Sequence, residues 1–266
     1  MNIKTSVAAL LLLATLVWHA QALAQVTPPE ASASAPQDAG AGTQYSEKGA
    51  DTCLGCHDEE ADTATFTTAG IFKNKHAQRG NARAPFGAGE LQCEACHGPG
   101  ARHSGKGSKK TLTINSFKAN SHLSVPERNK PCLGCHQDRN RAGWHVGAHE
   151  RNNLACTDCH KLHAQQDPAL ARAGQSEVCY ACHKQQRADF HKNSTHPVRF
   201  GRMTCSDCHN PHGSTNSALL IKASVNQTCY SCHADKRGPL LWEHAPVAED
   251  CTMPRQPWLG ARGAAD

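Results

Sequence analysis

Apolar residues are concentrated near the start of the 266-residue chain and are thinly spread after it. Residues 7–17 form an almost unbroken apolar run, Lys4 precedes the run, and residues 22–24 (Ala-Leu-Ala) have the small-x-small pattern of a signal cleavage site. The run is shorter than the about 20 residues that a membrane-spanning helix needs. We therefore predict a secretory signal over residues 1–24, with a retained anchor as the alternative, and a soluble, extracytoplasmic mature protein.

The remaining chain shows little regular periodicity, because Gly, Pro, Asn and Ser interrupt most of it, as in residues 98–100 (Gly-Pro-Gly) and 210–213 (Asn-Pro-His-Gly). Short helices are expected, for example one from Ser176, as N-cap, to Arg187. Residues 25–44, rich in Ala, Pro, Ser and Gly, predict a flexible leader. The pattern predicts mostly coil with short α-helices and little or no β-structure.

Composition changes this picture, since only 38% of residues are hydrophobic and 5% are aromatic. A chain so poor in large apolar side chains does not offset its conformational entropy by burial alone. Another group must supply apolar bulk and cross-links. The net charge of +5 is not arranged as a basic stripe interleaved with aromatic residues, so no nucleic-acid partner is predicted.

The sequence Cys-x-x-Cys-His occurs seven times, whereas 15 Cys and 18 His in random order would give far less than one copy. It is the attachment motif for haem c, in which two thiols add to the vinyl groups and the histidine ligates the iron. Zinc sites and disulfides also use paired cysteines, but neither explains a histidine after every pair. Seven covalently attached haem c groups are therefore predicted. The cysteines that would hold them are Cys53, Cys56, Cys93, Cys96, Cys132, Cys135, Cys156, Cys159, Cys179, Cys182, Cys205, Cys208, Cys229 and Cys232, and the motif histidines are His57, His97, His136, His160, His183, His209 and His233.

The motifs recur in pairs with a period of about 50 residues, which is typical of a repeat protein. Three two-haem repeats are predicted at residues 45–131, 132–178 and 179–228, and a fourth, with one haem, at residues 229–252. We expect the repeats to stack into an elongated rod organised around a chain of haems.

Each repeat offers spare histidines at corresponding positions. A loop histidine lies between the two motifs, and a trailing histidine follows the second motif, as in Cys-His-x-x-His. Seven spare histidines match seven irons, which predicts bis-histidine ligation of every haem, but the sequence does not say which histidine serves which iron. The loop histidines are His76, His149, His196 and His244, the trailing histidines are His103, His163 and His212, and three histidines outside the pattern, His122, His145 and His191, are expected at the surface.

Several stretches resemble the periplasmic decahaem c-type cytochromes of outer-membrane electron conduits, the MtrA, PioA and DmsE type. These stretches are residues 45–57 (YSEKGADTCLGCH), 91–97 (LQCEACH), 203–214 (MTCSDCHNPHGS) and 228–246 (TCYSCHADKRGPLLWEHAP). The resemblance implies an elongated chain of bis-histidine haems that enters a β-barrel porin of the outer membrane. The chosen spare histidines fall on the family's pattern, but this chain has seven complete motifs where the family has ten.

The resemblance also implies a periplasmic location, a periplasmic or inner-membrane quinol-linked cytochrome as electron donor, and a redox partner at or beyond the outer surface. The expected function is electron transfer. The alternative is a multihaem redox enzyme acting on a small nitrogen or sulfur oxyanion, which would need an iron with an exchangeable position.

One cysteine, Cys251, lies outside the motifs and stands where an eighth motif is expected to begin. Met253 and Pro254 follow instead of x-Cys-His. Read one base later, the codons for Met and Pro give Cys and allow His. We therefore interpret residues 253–266 as an aberrant tail translated out of frame, and the chain as a relative of a ten-haem protein that is truncated to seven motifs. A genuine alternative terminus with a free thiol is the other interpretation.

Overall fold

The computed structural model describes residues 42–58, 68–87, 91–105, 113–216, 218–239, 241 and 250–252. All of them belong to one compact unit, Ala39–Asp266. The predicted signal, residues 25–41 of the predicted leader, His244 and the tail at 253–266 lie outside the described residues. The elongated rod stays a prediction.

The described residues form short helices joined by coil. None of these helices has the length and apolar character that a membrane crossing requires. Within the described ranges there is no β-strand, and an isolated bridge joins His209 to Leu220. The prediction of mostly coil with short α-helices is confirmed. The α-helices are α1 (Ala50–His57), α2 (Glu94–His97), α3 (Ala101–Ser104), α4 (Val125–Leu133), α5 (Ala148–Arg151), α6 (Cys156–Cys159), α7 (Gln175–Tyr180), α8 (Lys184–Asp189) and α9 (Val225–Cys229). The 3-10 helices are Ala69–Lys73, Lys75–Ala77, Arg139–Arg141, Trp144–Val146, Pro197–Phe200, Cys205–Asp207 and Ala234–Lys236.

Local capping explains where several motif-bearing helices begin. Before α4, the backbone N–H and the hydroxyl of Ser124 both donate to the Glu127 carboxylate, at 2.7 and 2.6 Å. Before α6, the N–H of Ala155 donates to Asp158 at 2.7 Å. Such contacts to the carboxylate three residues on satisfy a backbone N–H group at the start of the helix. They fix the start of the helices in which the haem-binding cysteines Cys132 and Cys156 lie.

The helix predicted from Ser176 to Arg187 is wrong in two respects. The segment forms two helices, because α7 ends at Tyr180 and α8 begins only at Lys184, with His183 between them in a non-helical conformation (φ −86°, ψ 63°). Ser176 is not the N-cap, which is Gly174. Ser176 is buried, and its hydroxyl bonds to the thiol of Cys205, the first cysteine of the motif that follows this segment. Serine serves here to join the two motifs rather than to start the helix.

The protein core is thin, as the composition predicts. No large side chain among the described residues is fully buried. Large apolar side chains stay exposed within four residues of loop histidines, with Phe72 at 45%, Val146 at 67% and Phe200 at 67% exposure. Apolar surface beside candidate ligands fits an apolar group that the protein itself does not provide.

Two glycines allow neighbouring repeats to approach closely. A Cβ at Gly70 in the first repeat would lie 2.0 Å from the carbonyl oxygen of His163 in the second. A Cβ at Gly213, which follows His212 in the third repeat, would lie 2.1 Å from the carbonyl oxygen of Gly143 in the second. Any side chain at these positions would displace backbone. The contacts hold the trailing histidines His163 and His212 against the repeat that precedes each of them.

Candidate haem-binding sites

Each Cys-x-x-Cys-His motif closes one helical turn. In six motifs the histidine N–H donates to the carbonyl of the first cysteine at 2.9–3.0 Å, and in the first motif the same residues lie within α1. Residues three and four apart share one face of a helical turn. The turn therefore presents both thiols and the imidazole to the same side, as attachment and ligation of one haem require.

Two motifs of the same repeat lie side by side. The thiols of their first cysteines are hydrogen bonded in the pairs Cys53–Cys93, Cys132–Cys156 and Cys179–Cys205. The bond from Cys179 is the main cause that lowers the pKa of Cys205 to about 7. Since the thiolate is the nucleophilic form of cysteine, this contact favours that form at Cys205, while the same contact raises the pKa of its partner Cys179. All fifteen cysteines are described, and none is joined to another by a disulfide.

Histidine rings meet in six pairs, and every pair joins one motif histidine to one spare histidine. The distance between ring centres is 5.9–6.2 Å in all six. The pairs are His57–His103, His97–His163, His136–His76, His160–His212, His183–His149 and His233–His196. The three histidines expected at the surface belong to none of these pairs and are exposed.

The spacing of the paired rings fits a metal between them. Metal–imidazole bonds are about 2 Å long and each ring centre lies about 1 Å beyond its nitrogen, so two rings on opposite sides of one metal have centres about 6 Å apart. Among the described residues, no group of three or more His, Cys, Asp or Glu side chains is arranged to hold a metal ion. Pairs of opposed imidazoles beside two cysteines fit a bis-histidine haem.

The pairing follows a rule that the sequence leaves open. Each loop histidine faces the first motif of the following repeat, and each trailing histidine of the second and third repeats faces the second motif of the preceding repeat. The trailing histidine of the first repeat, His103, instead faces His57 of the same repeat. Neighbouring repeats therefore exchange histidines. Two histidines of the predicted set are in none of these six ring pairs. They are the motif histidine His209, which is described, and the spare histidine His244, which lies outside the described residues.

Hydrogen bonds to the outer ring nitrogen orient several of these imidazoles. Nδ1 of His97 lies 2.9 Å from the carbonyl oxygen of Asn115, and Nδ1 of His209 lies 2.8 Å from that of Ala218. Nδ1 of His160 lies 2.6 Å from a carboxylate oxygen of Asp167. A proton held on Nδ1 leaves Nε2 free to ligate a metal.

Sequence reasoning missed Asp167, because nothing in its position seven residues after His160 marks it as a partner of that ring. The corresponding acceptors for His97 and His209 are backbone carbonyls at other spacings. In the sequence Asp167 is only an acidic residue soon after a motif. Acidic residues are common at protein surfaces, so this position does not identify a partner for His160. Only the path of the loop brings the two groups together.

Burial keeps several paired imidazoles neutral. It is the main cause that lowers the pKa of His212 to about 4, with nearby His160 adding to the effect. It also lowers the pKa of His76, His97 and His163. These rings are therefore unprotonated near neutral pH, and the neutral imidazole is the form that binds a metal.

Comparisons with known proteins agree with this site. A family described as a doubled CXXCH motif matches residues 196–238, and one described as cytochrome c-type protein NrfB-like matches residues 93–174. The multiheme cytochrome MtrA of Shewanella baltica is 44% identical over 227 residues, which cover 85% of this chain and 65% of that protein. The cytochrome c-type protein NrfB of Escherichia coli is 30% identical over 141 residues, which cover 52% of this chain and 66% of that protein.

The motif turns, the opposed imidazoles and these matches define a multihaem c-type cytochrome. Within that class the chain is similar to the MtrA type, which confirms the resemblance drawn from its motifs. The chain spans slightly less than two thirds of the length of the curated relatives named above.

Proposed function

We propose that this chain carries electrons, one at a time, along seven haem c groups held in a row. The observation that supports the proposal is the exchange of histidines between neighbouring repeats, which makes the candidate sites continuous instead of isolated. When bound, haem supplies the one-electron Fe(III)/Fe(II) couple.

The protein's own residues have three tasks in this function. Cysteines would fix each haem covalently, and each of the six pairs of opposed imidazoles would hold an iron between its two rings, so that exchangeable ligands are kept off the metal there. Hydrogen bonds such as that from His160 to Asp167 orient the imidazoles and set their basicity. A fully ligated, rigid site changes little between oxidation states, which favours carrying electrons over transforming a substrate.

The partners follow from the relationship to the MtrA type and are part of the proposal. The chain would be exported to the periplasm, enter a β-barrel porin of the outer membrane and form a porin–cytochrome conduit for extracellular electron transfer. It would exchange electrons with a periplasmic or quinol-linked cytochrome on one side and with a redox partner at the outer surface on the other.

Reconstitution in liposomes tests this proposal. Vesicles that contain reduced methyl viologen are prepared with the porin, with and without the haem-loaded chain, and an impermeant acceptor is added outside. Rapid oxidation of the viologen is expected only when both proteins are present. The paired substitutions Cys156→Ala and Cys159→Ala, which remove one haem from the middle of the row, should slow it strongly, and the surface change His145→Ala should not. Equal rates with and without the chain would contradict the conduit.

A further inference from the structure

The pairing rule assigns His209 a partner in the fourth repeat. Trailing His163 faces His97 of the repeat before it, and trailing His212 faces His160 in the same way. Both of these trailing histidines stand seven residues after the first cysteine of their own second motif. The partner of His209 would therefore be the residue seven positions after the equivalent cysteine of the fourth repeat.

Cys251 occupies the position of that equivalent cysteine. Its N–H donates to the Asn226 side chain at 2.7 Å, as the N–H of Cys156 donates to Asn129 at 2.8 Å in the second repeat. Each asparagine stands three residues before the first cysteine of its repeat. The Cys251 thiol is hydrogen bonded to that of Cys229, as the two first cysteines are in the other repeats. The described residues of the fourth repeat thus place Cys251 in the same contacts as the equivalent cysteines of the other repeats.

The residues that should follow are different. Arg255 stands at the position of the motif histidine, and Trp258 stands at the position of the trailing histidine. An indole nitrogen only donates a hydrogen bond and has no free pair for a metal. In the register of the repeat, the residue expected to supply the second ligand to the haem of His209 is therefore a tryptophan, which cannot ligate it.

The remaining spare histidine follows a different part of the rule. His244 is a loop histidine, and all three described loop histidines face the first motif of the next repeat. None faces a second motif such as that of His209. The rule thus directs His244 away from this haem, which departs from the one-to-one match that the histidine count predicts.

We propose that the haem attached through Cys205 and Cys208 has His209 as its single protein ligand and binds small π-acceptor ligands such as CO and NO at its sixth position when reduced. The His209 imidazole itself is held in place, since its Nδ1 lies 2.8 Å from the Ala218 carbonyl oxygen and the backbone of His209 forms a β-bridge with Leu220. This inference rests on the proposed function only in requiring haem c at all seven motifs.

The test is a CO titration of the reduced, haem-loaded full chain, followed by difference absorption spectroscopy. One CO is expected to bind per chain. Binding should disappear in the variant with Cys205→Ala and Cys208→Ala, which lacks this haem, and should be unchanged in His244→Ala. Absence of CO binding by the unaltered chain overturns the proposal, as does CO binding that first arises in His244→Ala, because His244 would then be the missing ligand.

Two further variants calibrate the titration. His212→Ala removes the partner of His160 and should raise the count from one CO to two, whereas the exposed His191→Ala should leave it at one. If the haem-deleted variant does not assemble, the unaltered chain and His244→Ala still decide the question, since the other six motif histidines each face a second imidazole. A chain that binds no CO but conducts in liposomes refutes this inference and leaves the proposed function standing.

Discussion

The hydrogen bond between His160 and Asp167 should set the potential of the fourth haem, and Asp167→Asn tests it. One carboxylate oxygen lies 2.6 Å from Nδ1 of His160, and the other accepts from the N–H groups of Ala169 at 3.0 Å and Lys161 at 3.3 Å. The Asp167 side chain is only 14% exposed, so solvent screens the contact little. An amide has a single acceptor oxygen and cannot serve both sides.

The magnitude follows from the charge that is lost. Hydrogen bonds to charged groups contribute about 1.5–3 kcal/mol and neutral ones about 0.5–1.5 kcal/mol. The ferric form gains more from the carboxylate, because its ligated imidazole holds the Nδ1 proton less tightly. The ferric form loses about 1 kcal/mol of stabilisation if a neutral hydrogen bond remains, and up to about 3 kcal/mol if none remains. Because about 1.36 kcal/mol equals 59 mV for one electron, this loss raises the reduction potential by about 40–130 mV.

Spectroelectrochemical titration measures this shift even though the haem signals overlap. The area between the titration curves of the two proteins equals the summed shift over all haems, without assignment of individual potentials. Asp189→Asn is the matched control, because it removes the same charge from an exposed carboxylate that bonds to Lys192. A shift no larger than that of the control, or one toward lower potential, would refute the role given to Asp167.

Three other predictions concern the remaining sites. His196→Ala should make the haem of His233 high-spin and raise its potential, whereas His191→Ala should leave the visible spectrum unchanged; the reverse would contradict the pairing. Electron paramagnetic resonance of the oxidised protein should separate two haems with near-parallel rings (11° and 8°) from four with rings at 57–84°, which give signals of larger maximum g. Apoprotein made without haem attachment should be largely disordered by circular dichroism, because no large described side chain is fully buried; a compact, protease-resistant apoprotein would refute this.

The sequence predicts the haem attachment sites because the chemistry of attachment is local. Two thiols and a histidine within five residues, such as Cys156 to His160, need only one turn of backbone to meet the same haem. The repeat then identifies the candidate spare histidines by position. Six of the seven lie opposite a motif histidine in the structure, and the seventh, His244, lies outside the described residues.

The partner of each histidine could not be predicted, because it depends on how repeats meet in space. His149 and His163 lie in the same repeat, yet one faces the repeat that follows and the other faces the repeat that precedes. That direction is set by packing between repeats, such as the contact of Gly70 with the backbone at His163. A helix extended from Ser176 was wrong for a related reason, since the serine hydroxyl bonds to a cysteine of the neighbouring motif.

The exchange of histidines also predicts which part of the molecule opens first. Two ring pairs join the first repeat to the second and two join the second to the third, whereas one described pair, His196–His233, joins the third to the fourth. When haems occupy the pairs, each is a covalently attached cross-link between repeats, and elements with fewer links open at lower free energy.

Hydrogen exchange of the haem-loaded protein provides the measurement, with the equivalent helices α7 and α9 as a matched comparison. Both run into the first cysteine of their repeat, Cys179 and Cys229. Amides of α9 should exchange faster than those of α7, and His196→Ala should accelerate α9 further while leaving α1 unchanged. Protection of α9 equal to that of α7 would mean that a second link holds the fourth repeat, and His244 acting on the haem of His209 would be the available source.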